Sequence, residues 1–207
     1  GAGNYVFNFI HLKKHVHFSA ENLELMKHTK PIIILLSTQL AISLYSLLDT
    51  TMLGWWCSNS VIGYYTNVQK IIITISTITA SLGGVMLPRW VFLWNHSELD
   101  AVKKLGSKAL ELIIVICIPA SIGIFALAPQ IVRLIFGMDF LPCILTLKIF
   151  SPFVLISTVG NLYGTQLLMT FDEEKILLIT VSVGALLNMS LNLFLIPKME
   201  QNGATIA

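Results

Sequence analysis

The stretch PIIILLSTQLAISLYSLLDTTMLGWW (residues 31–56), followed after CSNS by VIGYYTNVQKIIITISTITASLGGVML (residues 61–87), decides the fold. Each run has about the ~20 residues a helix needs to cross a hydrocarbon layer of ~30 Å. Three more stretches of this kind follow, Ala109–Ala128, Leu141–Thr170 and Ile176–Pro197. The series predicts an all-α, polytopic transmembrane helical bundle. Asp49 and Lys70 nevertheless lie inside the first two runs. A charge at such a depth costs on the order of 3 kcal/mol or more, so it requires a partner, a water-filled cavity or a task.

The composition agrees. Hydrophobic residues make up 55% of the chain and charged residues 12%, against about 25% charged in a soluble domain. Mean hydropathy is +0.79. Cys57, Cys117 and Cys143 form no CxxC pair and have no metal-ligand spacing with any histidine, so no metal or other cofactor is expected. Cys57 and Cys143 fall near the same predicted membrane face, which leaves a disulfide between them open. Gly1–Tyr5 lacks the basic-then-apolar order of a secretory signal. An apolar segment begins again at Asn202–Ala207, and the chain is expected to be a piece of a longer protein.

Basic residues alternate between connections. Lys13, Lys14, Lys27 and Lys30 precede the first span, Arg89, Lys103, Lys104 and Lys108 follow the second, and Lys175 follows the fourth. The opposite side has only Arg133 and Lys198. This bias puts residues 1–30 in the cytoplasm as a juxtamembrane segment, ahead of a transmembrane lobe at 31–207. Ser97 and Asp100 resemble a capping box opening a short surface helix to Lys108, or the segment is an ordinary connector. Trp90, Trp94, Trp55, Trp56, Tyr64 and Tyr65 fit interfacial aromatic belts.

Function is expected from polar residues inside the spans. Asp49 and Lys70 lie on consecutive helices, and either pair with each other or face a shared aqueous cavity. Thr74, Thr77 and Ser81 follow Lys70 at i+4, i+7 and i+11, on one helix face. Thr38 and Tyr45 form a weaker stripe before Asp49. The fourth span carries Lys148, Ser151, Thr158, Asn161, Thr165 and Gln166, with Lys148 close enough to the outer end to snorkel. Pro152 and Gly160 can bend this span, and Pro119 and Gly123 the third. Asn188 and Asn192 share a face suited to interhelical bonding. The candidate cavity residues are therefore Asp49, Lys70, Thr74, Thr77, Lys148 and Asn161.

Enzyme chemistry has no support in the sequence. His11, His15, His17 and His28 lack spaced acidic partners, and Asp172–Glu174 read as a solvated turn. No phosphate loop, GxSxG, HExxH or catalytic carboxylate pair is present. The basic first segment suits a membrane surface and not nucleic acid.

Several motifs in this order resemble a known family. They are LYSLLDTTMLG (Leu44–Gly54), GYY (Gly63–Tyr65), GGVMLPR (Gly83–Arg89), ALAPQIVRLIFGMDF (Ala126–Phe140), NLYGTQLLM (Asn161–Met169) and LNLFLIPKMEQNGATIA (Leu191–Ala207). Together they resemble the O-antigen or polysaccharide (Wzx-type) flippases of the MOP exporter superfamily, over nearly the whole chain from about Lys27. The resemblance implies a MATE/MOP-like lobe, the C-terminal one of two around a central cavity, with five complete spans and the start of a sixth. It implies translocation of undecaprenyl-diphosphate-linked oligosaccharide repeat units across a bacterial inner membrane, for surface polysaccharide assembly. Lys70 would attract the diphosphate, the hydroxyl and amide groups would bind sugar, and Asp49 would couple to a cation, H⁺ or Na⁺, or pair with Lys70. The partners would be the lipid-linked oligosaccharide and membrane lipids. A cation-coupled multidrug exporter of the same superfamily and a non-transporting membrane scaffold are the rival readings.

Overall fold

A computed structural model describes residues 25–207. Residues 1–24, with Lys13, Lys14, His11, His15 and His17, lie outside the described residues, as do the side chains of Lys27, His28, Lys30 and Tyr45. The expected segment 1–30 is thus mostly outside them.

Every element among the described residues is helical, and five spans are long and apolar enough to cross a membrane. Helix α1 is Leu25–Trp56, α2 is Asn59–Asn95 and α3 is Leu99–Ile135. A 3₁₀ turn at Met138–Phe140 leads into the fourth span. That span is built from α4 (Cys143–Phe150), α5 (Phe153–Gly160), a π-helical segment (Asn161–Leu167) and α6 (Leu168–Thr170). Helix α7 is Glu174–Ile206.

Helices α2 and α3 are each 37 residues long, well beyond the expected span ends. Pro88 does not end α2. Proline removes one backbone donor and crowds the carbonyl four residues back, and membrane helices tolerate this when neighbours satisfy the freed group. The surface helix expected at Ser97–Lys108 does not form separately, because Leu99 onward is the start of α3. Ser97 has a φ of 57° and makes no cap, so the capping-box reading fails there, and Glu98 is the N-cap instead. Asp100 still sits in the first turn of α3, where a negative charge favours the helix dipole. The fourth span does break at Pro152 and widens to π-helical geometry beyond Gly160, whereas α3 runs unbroken through Pro119 and Pro129.

Close packing centres on α2, which touches α3, α4, α5 and α7; α3 in turn packs on α4 and α5. The core is aliphatic and aromatic, with Val68, Ile72, Trp90, Ala128, Leu147 and Val154 fully enclosed. Outward-facing Ile, Leu, Val and Phe cover most of the remaining surface, as lipid contact requires. One end of the bundle carries Cys57, the 3₁₀ turn and Glu200. There Tyr64 Oη donates to the Asp139 carbonyl at 3.4 Å and Thr146 Oγ1 to Asn202 Oδ1 at 2.9 Å. The other end carries His96, and the Trp94 and Phe171 rings meet there at 4.5 Å.

Helix α7 turns back on itself near the Cys57 end. Glu200 adopts φ 50° and ψ −130°. Beyond it Gln201, Gly203 and Ala204 are buried. A side chain at Gly203 would collide with the backbone of Leu195 and Ile196, so the returning segment lies directly on the one it left.

Candidate functional site

Asp49 lies near the Cys57 end of α1, on the face of the helix that turns inward. It is 4% exposed, and Met52 and Leu53, within the next turn, are enclosed as well. Two neutral donors hold its carboxylate. Tyr65 Oη of α2 donates to Asp49 Oδ2 at 2.7 Å, and Asn192 Nδ2 of α7 donates to Asp49 Oδ1 at 2.7 Å. Asn192 Nδ2 also reaches Asn188 Oδ1 at 3.1 Å, since residues four apart share a helix face. Three spans therefore converge on one carboxylate. Hydrogen bonds to an ionised acceptor contribute more than neutral ones, which partly offsets its desolvation.

This cluster opens on a cavity of about 670 Å³ between α1, α2, the break between α4 and α5, and the returning end of α7. Gln69, Asn188 and Thr205 add amide and hydroxyl groups to its wall, while Phe150 and Phe153 give it aromatic faces. The Tyr65 and Phe150 rings meet at 5.7 Å, which fixes the phenol toward Asp49. Asn192 Oδ1 is buried without a hydrogen-bond partner. An orphaned acceptor beside a buried carboxylate is uncommon and calls for an explanation. The Asn192 amide nitrogen is the end that faces Asp49 and Asn188, so the oxygens exposed to the cavity side of the cluster are those of Asp49 and Asn188, hard donors of the kind that suits a proton or a hard cation.

The structure does not bring the six sequence-predicted residues into one chamber. Asp49 lines the cavity and Lys70 does not, so the two neither pair nor share a chamber, and the carboxylate is bonded to Tyr65 and Asn192 instead. Lys70 is exposed on another face of α2, beside a groove of about 300 Å³ lined with Asn67, Thr74 and Phe136. The hydroxyls of Thr74 and Thr77 return to the carbonyls of Lys70 and Ile73, at 2.7 and 2.8 Å, leaving oxygen lone pairs outward. Lys148 is half-buried with its ammonium 5.4 Å from the centre of the Phe125 ring, a cation–π contact. Asn161 opens the π-helical segment, half-buried beside Gln166. All three cysteines are free; Cys143 Sγ donates weakly to the Tyr64 carbonyl at 3.7 Å.

Sequence reasoning misplaced Tyr65 and Trp90. Both were expected at the interface, and both are among the largest fully buried side chains. Gln69 drew no notice, although its position four after Tyr65 puts both on one face of α2.

A family model described as polysaccharide biosynthesis protein matches residues 4–145. The chain is also 21% identical over 164 residues to a probable low-salt glycan biosynthesis flippase, Agl15, of Haloferax volcanii. The match covers 79% of this chain and 34% of that relative, so the chain spans about a third of its length. No solved structure matches the chain.

Proposed function

The chain belongs to the polysaccharide biosynthesis protein family, and we propose that it is the C-terminal lobe of a flippase for lipid-diphosphate-linked oligosaccharides. The observation that carries this reading is the cavity of about 670 Å³ between membrane spans, with the buried Asp49 cluster in its wall. A partly open cavity between membrane helices, whose largely aliphatic wall also carries amides, a hydroxyl and aromatic rings, offers a glycan what bulk lipid cannot. Sugar hydroxyls exchange their water for Asn188, Gln69 and Thr205, and the Phe150 and Phe153 faces cover the apolar side of a pyranose. The name of the Haloferax relative supports the same substrate class.

Within this reading, Lys70 and the outward oxygens of Thr74 and Thr77 lie on a separate face and receive the diphosphate, since an exposed cation in a low-dielectric surrounding concentrates anions. Asp49, with Asn188 and Asn192, takes up the coupling ion, H⁺ or Na⁺. Occupation there neutralises the carboxylate that Tyr65 and Asn192 hold, so it changes how firmly α1 is tied to α2 and α7. The end carrying His96 faces the cytoplasm, in keeping with its lysines and arginines. We place the protein in the bacterial inner membrane and its products in O-antigen or capsule assembly.

The test is reconstitution of the full-length protein with an undecaprenyl-diphosphate oligosaccharide, reading appearance of the glycan on the opposite leaflet. Transport that falls at least tenfold in Asp49→Asn supports the reading. A full-length protein that leaves the glycan in place but moves small organic cations would replace it with drug export.

A further inference from the structure

We propose that Gly83–Gly84 of α2 and the π-helical segment Asn161–Leu167 form a paired hinge, latched by the Gln166 side chain, about which the His96 ends of both spans bend together. The proposal draws its purpose from the transport reading, but the bending is measurable without substrate.

Two irregularities face each other here. In α2, a Gly–Gly step precedes Pro88, which has no N–H to give the Gly84 carbonyl. Helix bends gather at proline and at pairs of small residues. Opposite it, the fourth span widens into π-helical geometry over Asn161–Leu167, a rare state found inside α-helices and frequently at functional sites.

Gln166 joins the two. It is buried, and with its amide turned toward complementary partners its nitrogen donates to the Gly83 carbonyl at 3.0 Å while its oxygen accepts from the Gly84 N–H at 3.3 Å. Asn161 lies 3.0 Å from the same amide. A methyl group on residue 83 would overlap this amide, so the latch seats only on glycine; a methyl on Gly84 meets nothing within 4 Å.

Firmer contacts bracket the joint. Toward the cavity, Thr79 and Thr158 hydroxyls meet at 2.8 Å and Ser157 donates to Ser76 at 3.0 Å. Toward the His96 end, the Trp94–Phe171 pair and the enclosed Trp90 tie the tips of the two spans together. Bending is therefore concentrated at the latch. Shifting the π segment to α-helical register would rotate α6 by about 100° and withdraw Gln166 from Gly83. A bend of about 20° acting from Gly84 to Asn95, a lever of roughly 17 Å, moves the tip by about 6 Å.

Spin labels at the exposed positions Gln39 and Asn95 of the full-length protein would read this movement by pulsed dipolar spectroscopy. Gln166→Ala, which opens the latch without adding bulk, is expected to shift the mean distance by about 6 Å or split the distribution in two. Gly84→Ala, which fits without contact, is expected to narrow it. Gly83→Ala serves in the Gln166→Ala background, where the methyl has room. Distributions that superpose on the unmodified protein's in both single variants overturn the hinge, even where glycan transport is intact. Altered distances in a protein that transports no glycan uphold the hinge and sink the flippase reading instead.

Discussion

Tyr65 of α2 holds Asp49 of α1 through a 2.7 Å hydrogen bond between two buried groups. Among the described side chains of the rest of α1, Leu36, Leu40, Leu44 and Leu47 are each more than half exposed, and the buried apolar ones are Met52 and Leu53 near the Cys57 end. The carboxylate cluster thus ties the first span to α2 and α7. Tyr65→Phe keeps the ring but removes the donor, and is expected to cost about 1.5–3 kcal/mol. Asp49→Ala strands two buried donors, Tyr65 Oη and Asn192 Nδ2, and is expected to cost more. Thermal unfolding in detergent measures both. The double variant should cost less than the sum, because the partners no longer lose one another. Strict additivity would mean that the bond contributes nothing to holding α1.

Lys70 is expected to behave in the opposite way. It is exposed and its side chain takes no part in the Asp49 cluster. Lys70→Ala in the full-length protein should leave expression and unfolding temperature unchanged while surface-polysaccharide display falls several-fold. Lys70→Arg, which keeps the charge, should restore display. Normal display in Lys70→Ala would remove this lysine from substrate handling.

The sequence made the spans legible because length and apolarity alone define a membrane helix. It also made the shared face of Lys70, Thr74 and Thr77 legible, since helical spacing fixes it, and all three are exposed together. Their relation to Asp49 was not legible. Spacing orders residues around one helix but says nothing of how that helix is rotated against its neighbour. Asn188 and Asn192 likewise read as a bonding face with no named recipient, and the recipient is 143 residues away from Asn192. Tyr65 was mistaken for an interfacial ring because depth along a span was used where rotation about it decides. Ser97 misled for a different reason: its spacing to Asp100 reads as a cap, but its φ of 57° takes it out of that role and Glu98 fills it.

Cys57 reports on the reversal of α7. Partial burial raises its thiol above the ordinary range, and the nearby negative charge of Glu200 raises it further. Both effects disfavour the thiolate, which is the reactive form. Maleimide or iodoacetamide modification at pH 8 should therefore be slower than for a free cysteine and should rise as pH is increased. Glu200→Gln removes the charge, lowers the thiol's pKa and should speed modification at a given pH. Cys117 and Cys143 are buried and should stay unmodified in the folded protein. A rate indifferent to Glu200→Gln would separate the first connection from the turn of α7.

Gly203 tests that turn directly. With Glu200 at φ 50°, the returning helix runs so close to the outgoing one that any Cβ at residue 203 falls on the Leu195 carbonyl and the Ile196 nitrogen. Backbone cannot swing aside as a long side chain can, so Gly203→Ala must push the two segments apart. That displacement would draw Ala204 out of the core and Thr205 away from the cavity wall. A cost of about 1–3 kcal/mol or more is expected from such overpacking, together with loss of the Thr146–Asn202 hydrogen bond. Gly63→Ala and Gly184→Ala, whose added methyl groups meet nothing within 4 Å, serve as controls and should leave the unfolding temperature within a degree or so, or raise it slightly through better helix propensity. Equal unfolding temperatures for Gly203→Ala and the two controls would show that α7 does not fold back on Leu195, and the cavity wall formed by residues 204–207 would go with it.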